Sequence, residues 1–126
     1  MDTTKPPIAE VAHHYAGVII VTTSGRVIGQ QRDDKPEISN PGKIGLFGGA
    51  VEAGEDPLEA AYREVVDEET NLQLEIDDFK LFSESVEWRA LTNEWEVYNI
   101  FAVTITDAAL DALEVYEGQG WVEVID

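Results

Sequence analysis

Between Gly48 and Leu72 the chain reads GGAVEAGEDPLEAAYREVVDEETNL, a glycine turn followed by a run dense in carboxylates. Glu52 and Glu55 stand in the turn, and Glu64, Asp67, Glu68 and Glu69 close the run with Arg63 as the one cation among them. Carboxylates spaced three or four residues apart on a helix repel one another. The same crowding becomes favourable when the oxygens share a hard cation such as Mg²⁺, which takes oxygen ligands and keeps several waters. Plain solvation is the ordinary fate of an acidic helix face. Here the glycine turn directly before the helix favours a metal site.

The element that must position these acids is a helix. Asp56 is suited to the N-cap, Pro57 to the first helical position, and Glu59 completes the spacing of a capping box. At about 100° per residue, Leu58, Ala61, Tyr62 and Val65 share one face, while Glu64, Asp67 and Glu68 fall on a neighbouring one. Glu69 is the exception. In a regular helix it points between Leu58 and Tyr62, on the apolar side, where a carboxylate is costly.

Counted from Gly49, Glu55 follows after five residues, and seven more lead to Arg63-Glu64 and an aliphatic Val65. This resembles the signature of the Nudix hydrolase superfamily, Gly-x5-Glu-x7-Arg-Glu-aliphatic-x-Glu-Glu-x-Gly-aliphatic. The match holds through Val65, after which this chain is one residue too long. Without a gap, Asp67 and Glu68 form the acid pair and Glu69 is surplus. With a gap, Glu68-Glu69-Thr70-Asn71-Leu72 matches, and Asn71 stands for the glycine. The gapped alignment is preferred. It requires a π-bulge to absorb the extra residue, and predicts an i→i+5 hydrogen bond between Glu64 and Thr70.

The resemblance implies an α/β (α+β) fold of the Nudix type, an α/β/α sandwich around a mixed β-sheet. It implies a pyrophosphohydrolase that opens a diphosphate linkage in a nucleoside diphosphate derivative with Mg²⁺ or Mn²⁺. Glu64, Asp67, Glu68 and Glu69 are then the metal-ligand candidates, with the Gly48 carbonyl as a further one, and Glu64 and Glu68 count as catalytic. Arg63 is expected to pair with Glu55 and hold the turn to the helix, supported by Glu52. Glu117, in a glycine-flanked turn, is the first choice of general base, ahead of Glu84, Glu87 and Glu96. Arg32 and Lys43, with Lys35 beside them, are candidates for phosphate contacts. Trp88, Trp95, Tyr98 and Phe47 are candidates for stacking on a base, although strand aromatics more often pack in the core or across strands. The alternative is a catalytically silent Nudix-fold module that binds a nucleotide or a partner. A structural domain that holds Ca²⁺ loosely is a third reading, and the intact Glu55, Arg63 and Glu64 count against both alternatives.

The remaining elements follow in order. Residues 1–12 read as a flexible lead-in to a single domain spanning 1–126. His13 and His14, adjacent on a strand, point to opposite faces and read as surface residues. Tyr15–Thr22 is a β-rich run that turns at Ser24-Gly25 into Arg26–Gln31, and a polar loop spans Asp33–Lys43. Gly45–Val51 is a buried strand into the turn. Asn71 suits a left-handed C-cap, and Leu72, Leu74 and Ile76 alternate as a strand. Phe79–Trp88 and Glu94–Ile105 are two long strands, the second burying Val97, Phe101, Val103 and Ile105 with Asn99 among them. Thr106 or Asp107 caps a short helix to about Tyr116, expected across the sheet from the signature helix. Gly118–Gly120 turns into a last strand, Trp121–Ile125.

Composition narrows the partners. The chain has 126 residues, 44% of them hydrophobic, enough for a core. Its net charge of −18 argues against bulk nucleic acid, which needs a basic surface. An anionic nucleotide substrate is reconciled with such a surface by bound cations. No apolar run is long enough to span a membrane and no signal peptide is evident. With no cysteine, thiolate sites and disulfides are excluded, in keeping with a cytoplasmic setting. A homodimer is compatible with the sequence.

Overall fold

The computed structural model describes residues 4–37 and 42–124. Asn40 and Pro41 of the polar loop, the first three residues of the lead-in and Ile125 of the last strand lie outside them. The scaffold is a parallel pair: β1 (His13–Thr22) lies beside β6 (Glu94–Ile105) in unbroken register from His13↔Glu96 to Thr22↔Ile105. That register puts Ala16, Val18 and Ile20 on the same face as Asn99, Phe101 and Val103, and all six are buried. The other face of β1 carries Tyr15, Gly17, Ile19 and Val21.

The hairpin closes as its turn residues predict, with β1 antiparallel to β2 (Val27–Gln31) and Gly25 at φ 90°. The single strand expected at Gly45–Val51 is two short ones. β3 (Ile44–Gly45) pairs with β2, whereas β4 (Phe47–Ala50) pairs with β1 beyond the hairpin. β5 (Lys80–Arg89) runs antiparallel to β6 with a bulge between Leu81 and Ser83, and β7 (Trp121–Glu123) pairs with β2. The result is a curled seven-stranded mixed sheet of order β3-β2-β1-β6-β5, with β4 on β1 and β7 on β2. With its few helices this is the α/β sandwich class that the resemblance implies.

The signature helix starts as α1 (Pro57–Tyr62) and buries Ala60 and Ala61 against β1 and β4. α2 (Asp107–Asp111) is capped by the Thr106 hydroxyl, which accepts from Ala109 N–H at 3.0 Å. Its Leu110, with Leu113 after it, joins the apolar cluster that holds Ala61 and Val65. The two helices therefore share one side of the sheet, not opposite sides as expected. α2 leaves directly from Ile105, the last core-facing residue of β6, and is too short to cross. It ends at Asp111 rather than near Tyr116. Among the described residues, no helix is long and apolar enough to cross a membrane.

Three local expectations are also corrected. Leu72, Leu74 and Ile76 form no strand: Leu72 is buried, Leu74 packs on the core, and Ile76 opens a single turn (Ile76–Asp78) capped by Glu75. Asn71 is not left-handed; its side chain spans to Ala112 O and Glu114 N–H instead, at 2.9 and 2.8 Å. The lead-in is anchored where Val11 packs against Val86 and Val97.

Candidate active site

Both halves of the capping box are made. The Asp56 carboxylate accepts Glu59 N–H at 2.9 Å, and the Glu59 carboxylate accepts Asp56 N–H at 3.0 Å. After Tyr62 the helix widens, and Arg63–Glu69 is π-helical. Its closing bond runs from Thr70 N–H to Val65 O at 3.1 Å, five residues back, and the Thr70 hydroxyl donates to the same carbonyl at 2.7 Å. The i→i+5 bond that the gapped alignment requires is present.

The wider turn decides what becomes of Glu69. Its side chain is 1% exposed and its carboxylate accepts Gly48 N–H at 2.8 Å, against β4. Asp67, two residues earlier, is exposed. Gly48 has φ 135°, and a Cβ there would lie 2.0 Å from Ala16 O, so only glycine lets the backbone pass this close to β1. Gly49 is needed for a different reason. A Cβ on it would meet the Glu64 carboxylate at 2.4 Å, because that carboxylate rests on the bare Cα.

Arg63 ties the turn to the helix. Its Nε and Nη2 donate to the two oxygens of Glu55 at 2.8 and 3.0 Å, and Nη2 also reaches Ala50 O at 3.2 Å. Nη1 donates to Glu64 at 3.0 Å and to Glu68. Glu55 also accepts Glu52 N–H at 3.0 Å, while the exposed Glu52 carboxylate stands 3.7 Å from Arg63. The guanidinium holds the Glu55 carboxyl below its ordinary range, with the Glu52 N–H assisting, and Glu55 in turn raises Arg63.

The other carboxyls shift the opposite way. Burial raises Glu64; its bond to Arg63 opposes this, and the charge of Glu68 adds to it. Burial raises Glu69 far more, with the Gly48 N–H opposing and Glu117 and Glu64 pushing it further up. Glu117 lies near Glu69, since it follows Tyr116, whose backbone is bonded to that of Glu69, and its charge acts on the Glu69 carboxyl. Its loop is stitched on both sides: Tyr116 N–H donates to Glu69 O at 2.7 Å, Gln30 Nε2 to Glu117 O at 3.2 Å, and Gln119 N–H to Gln31 O at 2.8 Å. Gly118, at φ 69° with Gln31 O where a Cβ would go, completes the fit.

Gly48, Glu64, Glu68, Glu69 and Glu117 are thus brought together, with Arg63 and Glu55 behind them. Asp67 is exposed and is not one of the leading influences on Glu64 or Glu69. Lys43 is exposed, Lys35 lies 3.9 Å from Asp33, and Glu84 is exposed on β5. Phe47 is fully buried, which rules out stacking on a ligand, and Trp95 makes an edge contact with the half-exposed Trp88 at 5.3 Å. Arg32 and Tyr98 line a groove of about 1140 Å³ on the face of the sheet away from the helices, with Gly48 and Gly49 at one end.

Tyr15 links the two regions and was not singled out by sequence. Its ring meets Tyr98 edge-on at 5.6 Å, and its hydroxyl is pushed up by burial above all, then by the charges of Glu69 and Glu64, with Arg32 opposing. The period-two pattern of β1 was the available signal, since Tyr15 sits opposite in phase to Ala16 and Val18.

Whether these residues suit a divalent cation is decided by their chemistry. Among the described residues no three Asp, Glu or His side chains stand in a ligating arrangement. The Arg63 guanidinium is bonded to one oxygen of Glu64 and one of Glu68. The donors nevertheless fit a hard cation: all are carboxylates, Glu64 and Glu69 are each raised by burial and then by neighbouring carboxylates, and Gly49 leaves the room that Glu64 fills.

The family model described as NUDIX domain matches residues 12–124. No curated protein matches the sequence. Among solved structures, the chain is similar to a MutT protein from Methanosarcina mazei, with 20% identity, a TM-score of 0.68, and coverage of 94% of this chain and 80% of that one. It is similar to a MutT NUDIX hydrolase from Burkholderia pseudomallei at 24% identity and a TM-score of 0.62, over 90% and 87% of the two chains. A C. elegans Ap4A hydrolase shares the fold at 19% identity and a TM-score of 0.65, over 89% and 79%.

Proposed function

The chain belongs to the Nudix family, and on that premise we propose that it is a pyrophosphohydrolase dependent on Mg²⁺ or Mn²⁺ that cleaves the diphosphate linkage of a nucleoside diphosphate derivative. The observation that carries the reading is the pair of carboxylates seated on the glycine turn, Glu64 over the Cα of Gly49 and Glu69 on the N–H of Gly48. Glu64, Glu68 and Glu69 would hold the metal, which when bound neutralises phosphate charge and lowers the pKa of water. Arg63, anchored on Glu55, orients Glu64 and Glu68.

Glu117, next to the Tyr116 that is bonded to the Glu69 backbone, is assigned as general base. Water attacks one phosphorus, the bond from that phosphorus to the bridging oxygen breaks, and the other phosphate leaves with the electron pair. Glu117 takes the proton from the attacking water. Arg32, at the groove wall, is positioned to bind a phosphate that extends from the turn into the groove.

Product release from a nucleotide panel, with Mg²⁺ and with chelator, tests this directly. Hydrolysis that chelator abolishes and that Glu68→Gln lowers by orders of magnitude supports it; no turnover of any nucleotide rejects it. The occupation of Glu64 and Glu68 by Arg63 favours a second reading, a silent Nudix-fold binding module. Nucleotide binding without turnover at saturating metal would establish that instead.

A further inference from the structure

The groove has two chemically different ends. At the end that meets the glycine turn stand Arg32 and Tyr15. At the other, Glu87 and Glu96 lie directly opposite each other on β5 and β6, on the groove face, with Arg89 lining it beside them. Like charges in that position destabilise a sheet, and in this chain they are only partly offset. Arg89 reaches Glu96 at 3.4 Å, and Lys5 reaches Glu87 at 3.7 Å with both groups substantially exposed. Glu96 is 6% exposed and stands two residues from Tyr98 on the same face of β6, and burial and the Glu96 charge both push the Tyr98 hydroxyl up. A buried carboxylate at the floor of an open groove accepts hydrogen bonds and repels anions.

Resting on the hydrolase reading above, we propose that Glu96, with Glu87 beside it, is a specificity determinant that selects an uncharged, hydroxyl-bearing group on the far side of the diphosphate. The phosphates lie toward Arg32 and the carboxylates of the signature helix. The moiety beyond them, a neutral sugar or polyol, places its O–H donors on Glu96. A moiety with its own anionic group is rejected there, because opposed like charges across a contact are strongly unfavourable.

A matched pair of probes tests this: UDP-glucose and UDP-glucuronate, which differ by one carboxylate at the sugar. The expected kcat/KM favours UDP-glucose by about tenfold or more. Glu96→Gln and, independently of any effect of burial, the more accessible Glu87→Gln should each shrink that ratio by raising turnover of the glucuronate. Both variants should leave metal dependence intact. Equal rates on the two probes, or a ratio that neither variant moves, would overturn the assignment. So would hydrolysis of other nucleotides with no turnover of either sugar nucleotide. Failure of the parent reading has a different signature, no metal-dependent turnover of any nucleotide at all, and the specificity assignment falls with it.

Discussion

α1 and the π-helical segment that continues it are one run of chain with two kinds of work. α1 is regular, capped at both oxygens of its box, and presents Ala60 and Ala61 to the sheet, where small side chains let helix and strands approach closely. The π segment carries Arg63, Glu64, Glu68 and Glu69, and here it is the width of the turn that is useful. A regular helix places successive side chains about 100° apart, too far for Glu69 to reach Gly48 while Asp67 faces solvent. Widening by one residue carries Asp67 out and brings Glu69 onto the Gly48 N–H. The lesson is that the first half of the helix is fixed by packing and the second by the acids that must reach the turn.

The largest expected effect breaks the second half alone. Glu69→Gln keeps an acceptor for Gly48 N–H, so its fold should persist while metal-dependent kcat falls by roughly 10²- to 10⁴-fold. Circular dichroism beside steady-state rates checks both parts. Gly49→Ala should come next: its φ is compatible with alanine, but the new Cβ would displace the Glu64 carboxylate. A fall in kcat of about ten- to a hundredfold, with little change in Tm, is the expected outcome in the same assay.

Arg63→Ala should cost stability as well as rate, since it unpairs Glu55 and frees the turn. A loss of roughly 1–2 kcal/mol, several degrees of Tm, is expected by thermal denaturation. An unchanged Tm would make Arg63 a surface charge. The smallest effect belongs to Asp67→Ala, which should leave kcat within about twofold of wild type. If it proved as damaging as Glu69→Ala, the two acids would have been assigned the wrong way round.

Much of this is legible in the sequence. The capping box and the core face of β6 follow from local spacing, and the Glu55–Arg63 pair from the resemblance to the signature. The surplus residue was legible because the motif defines a length, and an acid on the apolar face of a regular helix is a contradiction that needs resolving. What escaped was set by long-range geometry. Leu72 and Leu74 alternate like a strand, but among the described residues no strand pairs with them. Asn71 resembles a C-cap in sequence, yet Glu114 and Ala112 compete for its amide and win. Phe47 looked available for stacking, and its burial depends on which face of β4 meets the helix. The groove lining of Glu87, Glu96 and Tyr98 depends on the register between β5 and β6, which no single segment reveals.

The central claim, that the π register assigns Glu69 and not Asp67 to the active site, is tested most directly by deleting Asp67. The deletion restores the signature's ordinary length while keeping Glu68 and Glu69 in sequence before Thr70. The account predicts a folded protein with a regular α-helix through this segment and metal-dependent kcat/KM within about fivefold of wild type. A folded deletion protein as inactive as Glu69→Ala would contradict it.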